Sequence, residues 1–260
     1  MDISELKAKH RLLNRWNYKW TPLDKGYTDK TLYINVGSAE IKEKDVPTEM
    51  KEKFIGGKGY GLRYLWDATK PDTKWDDPEN EIVISSGPIG GITQYSGTGK
   101  SLVVSISPQT DSVMDSNVGG FFGPFLKFSG FDAIELQGKA ASDVIVYING
   151  VDHYVEIFEA PAEAVDTHVL AEQLTDMFAE GESDRKNIGI VSAGTAADHS
   201  LIGMLNFTFY DNKRKKIRLK QAGRGGIGTV FRNKKIKALV CRIPGVKGNL
   251  NNVVDLEAIQ

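Results

Sequence analysis

Two glycine-rich segments contain the residue types that bind phosphate groups. The first, Ser96–Ser101, reads Ser-Gly-Thr-Gly-Lys-Ser and ends like a P-loop, in which backbone amides and a lysine surround nucleotide phosphates. The complete pattern needs a glycine at position 94, where this chain has Gln94, and it needs a helix afterwards. The residues that follow, Leu102–Ile106, have the β-branched composition of a strand. The sequence therefore does not predict an ATP or GTP site.

The second segment, Gly223–Gly228, matches the dinucleotide-binding fingerprint in its letters. That fingerprint requires a buried strand before it and a helix after it. Here the preceding residues, Lys215–Lys220, are strongly basic, and Phe231–Asn233 is expected to lead quickly into another strand. NAD binding is therefore not predicted.

Both segments place lysine or arginine next to glycine turns whose backbone amides can be free, which suits multiply charged phosphate groups. A third turn, Asn117–Gly120, has the same composition without the charge. The alternative is that the glycines serve only to form tight turns. The residues leave both interpretations open.

Other kinds of chemistry have weaker support. The four histidines lie far apart in sequence, and Cys241 is the single cysteine, so a protein-ligated zinc or iron site is not predicted. One thiolate cannot hold an iron–sulfur cluster. Asp198, His199 and Ser200 have the letters of a catalytic triad, but neighbours on an extended segment point in opposite directions.

The charge distribution excludes some classes of protein. The 260 residues contain 33 Lys and Arg against 34 Asp and Glu, so a general nucleic-acid or membrane coat is not expected. Locally, Lys213–Lys237 contains eleven basic residues and no acidic one, which indicates either a solvated loop or a built anion site. The sequence has no export signal and no apolar run long enough to span a membrane, and its single cysteine agrees with a reducing compartment, so a cytoplasmic location is expected.

Hydrophobic patterning predicts many strands and few helices. The predicted strands are Thr31–Val36, Ile41–Lys44, Ile82–Ile84, Leu102–Ile106, Ala133–Leu136, Val144–Ile148, Tyr154–Phe158, Ile188–Val191 and Ile236–Cys241. Helices are predicted after Thr48 as a cap, with an interruption at Gly56–Gly59, and between Asp166 and Glu180, with Asp166 as the cap. The gaps between strands are short, as in hairpins. The pattern favours an α+β fold with two largely antiparallel sheets.

Several segments together resemble the N-terminal domain of the tungsten-containing aldehyde ferredoxin oxidoreductase family. They are Ile55–Gly59, Ser86–Gly90, Gly97–Lys100, Ser116–Gly123, Leu126–Asp132 and Ala222–Gly228, in matching order and spacing from about Thr31 to Cys241. The resemblance implies a base domain of two β-sheets that supports a tungsten (or molybdenum) bis-pyranopterin cofactor. It also implies three parts of the chain: an N-terminal extension (1–28), the base domain (29–245) and a tail (246–260) leading toward C-terminal domains that are absent.

The resemblance also implies roles for particular positions. Lys100 matches an arginine that contacts the pterin, and Asn117 matches an asparagine whose carbonyl binds the Mg²⁺ that bridges the pterin phosphates. Gly119 lies beside it, Lys220 matches a phosphate-contacting arginine, and Gln221 matches the second residue whose carbonyl binds that Mg²⁺. Further cofactor contacts are expected from Gly223 and Arg224.

This chain departs from the family in two respects. Lys58, Lys100 and Lys220 stand where the family usually has arginine, so the charge is kept but the planar fork is lost. Members are also more than twice as long, and the residues that hold the [4Fe-4S] cluster and transfer protons lie in domains this chain lacks. Alone, the chain is expected to be inactive.

Two hypotheses follow. The first is a cofactor-binding domain or subunit of an oxidoreductase that acts on aldehydes or related acyl substrates. Its partners would be the C-terminal domains or a separate subunit, a ferredoxin-like electron carrier, and a second copy of the chain if it forms a homo-oligomer. The second hypothesis is a non-catalytic phosphate-binding or assembly module that keeps the fold without the metal cofactor. Neither a membrane nor nucleic acid is an expected partner under the first.

Overall fold

The computed structural model describes residues 3–259, and these residues form two β-sheets with helices packed around them. In chain order the strands are β1 (Arg11–Asn17), β2 (Lys30–Asn35), β3 (Glu40–Asp45), β4 (Ile82–Ser85), β5 (Ser101–Ile106), β6 (Val113–Val118), β7 (Ala133–Gln137), β8 (Val144–Asn149), β9 (Tyr154–Glu159), β10 (Ile188–Ser192), β11 (Leu205–Asp211), β12 (Lys216–Ala222) and β13 (Ile236–Arg242).

Helices are fewer than strands among the described residues. The α-helices are α1 (Ile3–Ala8), α2 (Thr48–Phe54), α3 (Lys58–Ala68), α4 (Phe122–Phe128), α5 (Thr167–Phe178) and α6 (Ile227–Asn233), and the 3₁₀ helices are Glu182–Asn187, Thr195–His199 and Glu257–Ile259. The Asp166 carboxylate caps α5 by accepting hydrogen bonds from the amides of His168 and Val169, as predicted. Thr48 is not a cap: the N-cap of α2 is Pro47, and Thr48 is the first helical residue.

One sheet has the strand order β1-β9-β8-β13-β10-β11-β12, and the other has the order β3-β2-β7-β4-β5-β6. Neighbouring strands are antiparallel except for β8 with β13 and β2 with β7, which pair in parallel. The predicted α+β fold with two largely antiparallel sheets is therefore confirmed. Two of the edge strands, β6 and β12, carry the residues of the candidate site.

The middle of the seven-stranded sheet is buried on both faces. Every residue of β8, β10 and β13 is buried. On one face, alternate residues such as Ile145 and Val240 pack against Leu170 and Leu174 of α5. On the other face, the next residues along each strand enter the main core, which the two sheets and α4 share. The side-chain alternation of the strands thus supplies two apolar layers from one sheet.

Parts of the predicted N-terminal extension (1–28) and of the predicted tail (246–260) pack against the rest of the chain. Residues 11–17 of the predicted extension form β1, an edge strand paired with β9, and residues 1 and 2 lie outside the described residues. In the predicted tail, Asn251 is buried, its Nδ2 donates to the Gly90 carbonyl at 3.1 Å, and its carbonyl accepts from the Gly26 amide at 2.7 Å. Residue 260 lies outside the described residues.

Candidate functional site

The edge strands of the two sheets lie beside each other. The Arg224 amide, just after β12, donates to the Ser116 hydroxyl of β6 at 3.1 Å. A Cβ placed on Gly225 would lie 2.9 Å from Cβ of Met114. Residues more than 100 positions apart in sequence therefore meet where the two sheets end.

Glycine turns connect these strands to the helices that follow. Gly119 and Gly120 join β6 to α4, and the turn at 223–226 joins β12 to α6. Gly120 has φ +110°, and a Cβ there would lie 3.0 Å from the Thr208 carbonyl oxygen, so only glycine fits without strain. These turns bring the backbone close to the neighbouring sheet.

The predicted cofactor residues converge on this edge. Gly119 lies against the side chain of Lys220, with 3.8 Å from an added Cβ to the Lys220 Cγ. Gly99, which precedes Lys100, lies 3.3 Å by the same measure from the Gly120 carbonyl oxygen. We call the surface formed by Lys100, Asn117, Gly119, Lys220, Gln221, Gly223 and Arg224 the edge shelf.

The register of β5 and β6 directs the backbone of Asn117 to the open side of the sheet. The Ser107 amide donates to the Ser112 carbonyl at 2.9 Å, which makes Ile106 and Val113 a non-hydrogen-bonded pair. Such pairs alternate along an antiparallel ladder, so Leu102 and Asn117 form another. The N–H and C=O groups of Asn117 therefore point away from β5.

The same reasoning applies to Gln221 on β12. The Ile217 amide donates to the Glu172 carboxylate at 3.3 Å, which is off the ladder with β11. Tyr210 and Ile217 are therefore a non-hydrogen-bonded pair. Asn206 and Gln221 lie four pairs away on the same ladder, and because the two kinds of pair alternate, they are a non-hydrogen-bonded pair as well. The Gln221 carbonyl therefore lies on the open side of β12. Both predicted Mg²⁺ ligands are thus carbonyls on the open edges of their strands.

The edge shelf carries positive charge that no carboxylate neutralises. Within residues 3–259, the side chains of Lys100, Lys220 and Arg224 form no ion pair, and all three are exposed. The Lys220 ammonium lies 5.5 Å from the centre of the Phe209 ring. Lys58 differs, because it pairs with Asp115 of β6 at 2.7 Å. Of the three lysines predicted to stand at family arginine positions, Lys58 is therefore already neutralised.

Backbone donors add to this charge. Among the described residues, the amides of Gly119, Gly120 and Gly223 have no hydrogen-bond acceptor, whereas the Arg224 amide is occupied by Ser116. Backbone amides without an acceptor, beside lysines, form the kind of concave anion site that phosphate groups occupy. The shelf can therefore hold a multiply charged anion together with a hard cation.

A metal site made only of protein side chains would need several His, Cys, Asp or Glu residues close together. Across residues 3–259, no three of the His, Cys, Asp and Glu side chains come together in a way that could hold a metal ion. Mg²⁺, however, is commonly held by a few protein oxygens, substrate phosphates and waters. The carbonyls of Asn117 and Gln221 fit that kind of donor set.

A buried lysine fixes the loop that leads to Lys100. Lys127 of α4 is 1% exposed, and its ammonium donates to the carbonyls of Gly87, Pro88 and Gly90 at 2.5, 3.0 and 3.1 Å. Burial lowers the pKa of Lys127 to about 8, against the opposing effect of the Asp132 carboxylate. Sequence reasoning missed this role, because nothing in the residues around Lys127 marks its side chain as buried.

The rejected fingerprint at Gly223–Gly228 needs one correction. A strand, β12, precedes it, and a helix, α6, follows it over Ile227–Asn233, where sequence analysis expected a rapid entry into another strand. The site still differs from a dinucleotide fold, because β12 is an exposed, antiparallel edge strand rather than a buried parallel one. The Ser96–Ser101 segment does lead into a strand, β5, as predicted.

The remaining sequence candidates have structural roles. Asp198 accepts hydrogen bonds from Arg232 at 3.1 Å, so the triad-like letters around it belong to an ion-pair network. Cys241 is fully buried beside the Ser129 hydroxyl at 3.2 Å, and burial raises the pKa of its thiol to about 12. Within residues 3–259, no helix is long and apolar enough to cross a membrane.

Comparisons with known proteins match most of the chain. Residues 31–243 match the family described as "Aldehyde ferredoxin oxidoreductase, N-terminal domain". The chain is 34% identical over 217 residues to a tungsten-containing aldehyde ferredoxin oxidoreductase of Pyrococcus horikoshii, covering 84% of this chain and 33% of that protein. It is 29% identical over 240 residues to the WOR-like subunit of an aliphatic sulfonate oxidoreductase of Pyrococcus furiosus, covering 90% and 37%.

A solved structure has a similar fold. It is the active-site complex BamBC of benzoyl coenzyme A reductase with 1,5-dienoyl-CoA, and the match has a TM-score of 0.71 and 27% identity. It covers 85% of this chain and 31% of that one. The chain thus spans about a third of the length of the relatives that it matches.

Proposed function

Because this chain belongs to the aldehyde ferredoxin oxidoreductase family, whose N-terminal domain it contains, we propose that it is the base on which a tungsten or molybdenum bis-pyranopterin cofactor binds. When bound, that cofactor supplies the redox chemistry, the interconversion of an aldehyde or related acyl substrate and its acid. The chain itself would hold the cofactor in position and neutralise its negative charge. The same proposal covers the complete enzyme. It would act on an aldehyde or related acyl substrate, hold a [4Fe-4S] cluster, exchange electrons with a ferredoxin-like carrier and be cytoplasmic.

The observation that carries the proposal is the convergence of two open strand edges. Asn117 and Gln221 direct their carbonyls to the free sides of β6 and β12, and these strands lie beside each other. In the proposed complex, both carbonyls would hold a Mg²⁺ ion that accompanies the cofactor phosphates. Lys100, Lys220 and Arg224 would neutralise those phosphates, and the amides of Gly119 and Gly223 would donate to them.

The experiment measures tungsten, molybdenum and pterin per chain after purification from a host that makes the cofactor. Lys220→Glu places a like charge against phosphate, so we expect the variant to lose the cofactor while its circular dichroism spectrum is unchanged. Lys213→Glu is the matched control, because it makes the same charge change in an exposed turn of the same hairpin. Equal cofactor content in both variants would show that Lys220 does not contact the phosphates.

The Mg²⁺ assignment has its own test. A backbone carbonyl remains a ligand whatever side chain its residue carries. Gln221→Ala should therefore keep the wild-type content of magnesium and pterin. Among the residues that the structure describes, the Gln221 side chain hydrogen-bonds only to the Asn206 side chain, at 3.4 Å. Loss of magnesium in this variant would contradict a backbone ligand at position 221.

The non-catalytic alternative has one observation in its favour. Lys58, at a position where the family usually has arginine, is paired with Asp115 and is not free to bind an anion. Under this alternative the shelf binds phosphate groups of another ligand, and the chain assembles with partners without a metal cofactor. Wild-type chain that is free of metal and pterin after production in a competent host would favour it.

A further inference from the structure

A cleft that the proposed cofactor contacts do not use lies next to the edge shelf. Its volume is about 670 Å³, within the range of small-molecule sites. The walls come from the loop at 91–99, from α4, from the 3₁₀ helix Glu182–Asn187, from Asn212 in the hairpin turn, and from residues 244–247. Five separate parts of the chain therefore close around one space.

The floor of this cleft is aromatic and apolar. It is formed by Phe121, Pro124, Phe125 and Phe128 of the α4 region. The centres of the Phe121 and Phe125 rings are 5.4 Å apart, and Phe125 and Phe128 are 5% and 6% exposed. A flat or bulky apolar group placed here would be covered without displacing any polar contact of the protein.

The rim of the cleft is cationic. Lys186 and Lys247 line it, no Asp or Glu side chain does, and neither lysine forms an ion pair within the part of the chain that the structure describes. The carboxylates nearest to Lys186 in sequence are already used: Asp184 accepts from Arg242 at 2.7 Å, and Glu182 lies 3.7 Å from the Arg185 guanidinium. The two lysines therefore lack a counter-charge.

We infer that this cleft binds an organic anion with an aromatic or bulky aliphatic body. The body would pack on the phenylalanine floor while its acid group lies between Lys186 and Lys247. Apolar walls with a few charged groups at one side are the usual composition of a small-molecule site. A nucleic acid or an acidic protein would need an exposed basic face, whereas the lining of this cleft is mostly apolar.

The cleft adjoins the edge shelf through residues that are neighbours in sequence. Gly99, which lines the cleft, precedes Lys100 of the shelf, and Phe121, which also lines it, follows Gly119 of the shelf by two residues. The Phe121 ring also lies 6.2 Å from that of Phe209, on which the Lys220 ammonium rests. A ligand in the cleft would lie beside whatever the shelf holds, but its binding does not depend on the cofactor being present.

The test is a titration of the cofactor-free 260-residue chain with 2-naphthoate, followed by amide chemical shifts. We expect saturable shifts confined to the residues around Phe121, Phe125 and Asn187. 2-Naphthalenemethanol, which has the ring without the charge, and acetate, which has the charge without the ring, should each bind more weakly. The experiment uses no cofactor, so failure of the proposed function would leave its result unchanged.

The double variant Lys186→Gln/Lys247→Gln should raise the Kd for 2-naphthoate by about 5- to 30-fold, as expected for two partly exposed charge contacts. It should leave the Kd for the alcohol unchanged. Lys70→Gln/Lys74→Gln, which removes two exposed lysines outside the cleft, is the matched control and should bind like wild type. Absence of saturable shifts, or equal affinity for the naphthoate and the alcohol, would overturn the proposal and favour a polypeptide as the occupant.

Discussion

Arg224, in the glycine turn at 223–226, and Arg232, in the helix that follows this turn, are used in opposite ways. Arg224 is exposed, and its guanidinium has no carboxylate partner within residues 3–259. Arg232, in α6, is 3% exposed and donates to Asp143 and Asp198 at 3.1 to 3.2 Å. Because a buried charge is tolerated only with partners, Arg232 is committed to the fold. The unpartnered cations of the edge shelf remain available to a ligand.

The largest expected effect is on the buried side of this comparison. Arg232→Met leaves the Asp143 carboxylate buried without its partner, so the free energy of unfolding should fall by about 3–5 kcal/mol. Arg224→Met is the matched change at the shelf and should stay within about 0.5 kcal/mol of wild type. Urea denaturation at neutral pH measures both. Equal losses would mean that the two arginines do not differ in the way proposed.

A smaller loss is expected at Lys127. Lys127→Met removes the donor to three carbonyls, and we expect a loss of about 1–3 kcal/mol, as for buried groups left without a hydrogen bond. Amide hydrogen exchange should become faster at residues 87–91 and stay unchanged in β8. Lys100→Met, an exposed lysine at the end of the same loop region, serves as the control. Uniformly faster exchange would indicate global destabilisation rather than release of this loop.

The pH dependence of stability tests whether the buried charged groups, unlike those of the edge shelf, are committed to the fold. Burial, followed by the charge of Glu135, raises the pKa of Glu81 from 4.5 to about 9. Between these values the folded chain holds a proton that the unfolded chain has lost, so this group makes stability fall as pH rises, by at most about 1.4 kcal/mol per pH unit. Glu81→Gln should flatten that decline in thermal unfolding measured from pH 5 to 9. An unchanged slope would assign the pH dependence to other groups.

The smallest expected change in stability is at the shelf. Lys220→Gln should leave the free energy of unfolding within about 0.5 kcal/mol of wild type, because within residues 3–259 the side chain makes no ion pair that could be lost. Its affinity for pyrophosphate in the presence of Mg²⁺ should nevertheless fall, with a weaker dependence on salt. Isothermal titration calorimetry at two salt concentrations measures this. A large loss of stability with unchanged affinity would reverse the roles assigned to the two groups of cations.

Sequence patterns predicted nine strands, among them the edge strand β3, and missed the internal strand β11 and the edge strands β1, β6 and β12. β8, β10 and β13 are short β-branched runs covered on both faces, so composition alone identifies them. β6 and β12 were missed, because edge strands at a polar surface need not be apolar. β12 does alternate basic residues with Ile217 and Leu219, and that period of two was the available signal. In the block Lys213–Lys237, the density of charge obscured it.

Two seven-residue helices were also missed. α4 contains Gly123 and Pro124, and α6 begins next to Gly226, so propensity argues against both. Tertiary packing stabilises them instead, since every residue of α4 and nearly all of α6 is buried. The two parallel pairings join strands that are distant in sequence, which local patterns cannot show. The site residues were found through a family resemblance, whereas their convergence and carbonyl directions required coordinates, and their cofactor roles stay predictions.

The open sides of β6 and β12 have a consequence for the chain before any ligand arrives. Unpaired strand edges are templates on which a second molecule can add its own strand, the first step toward aggregates. The outward lysines and arginine of β12 repel such an addition, since two copies would bring like charges together. The residues that make this surface receptive to an anion would therefore also keep newly made chains apart from one another.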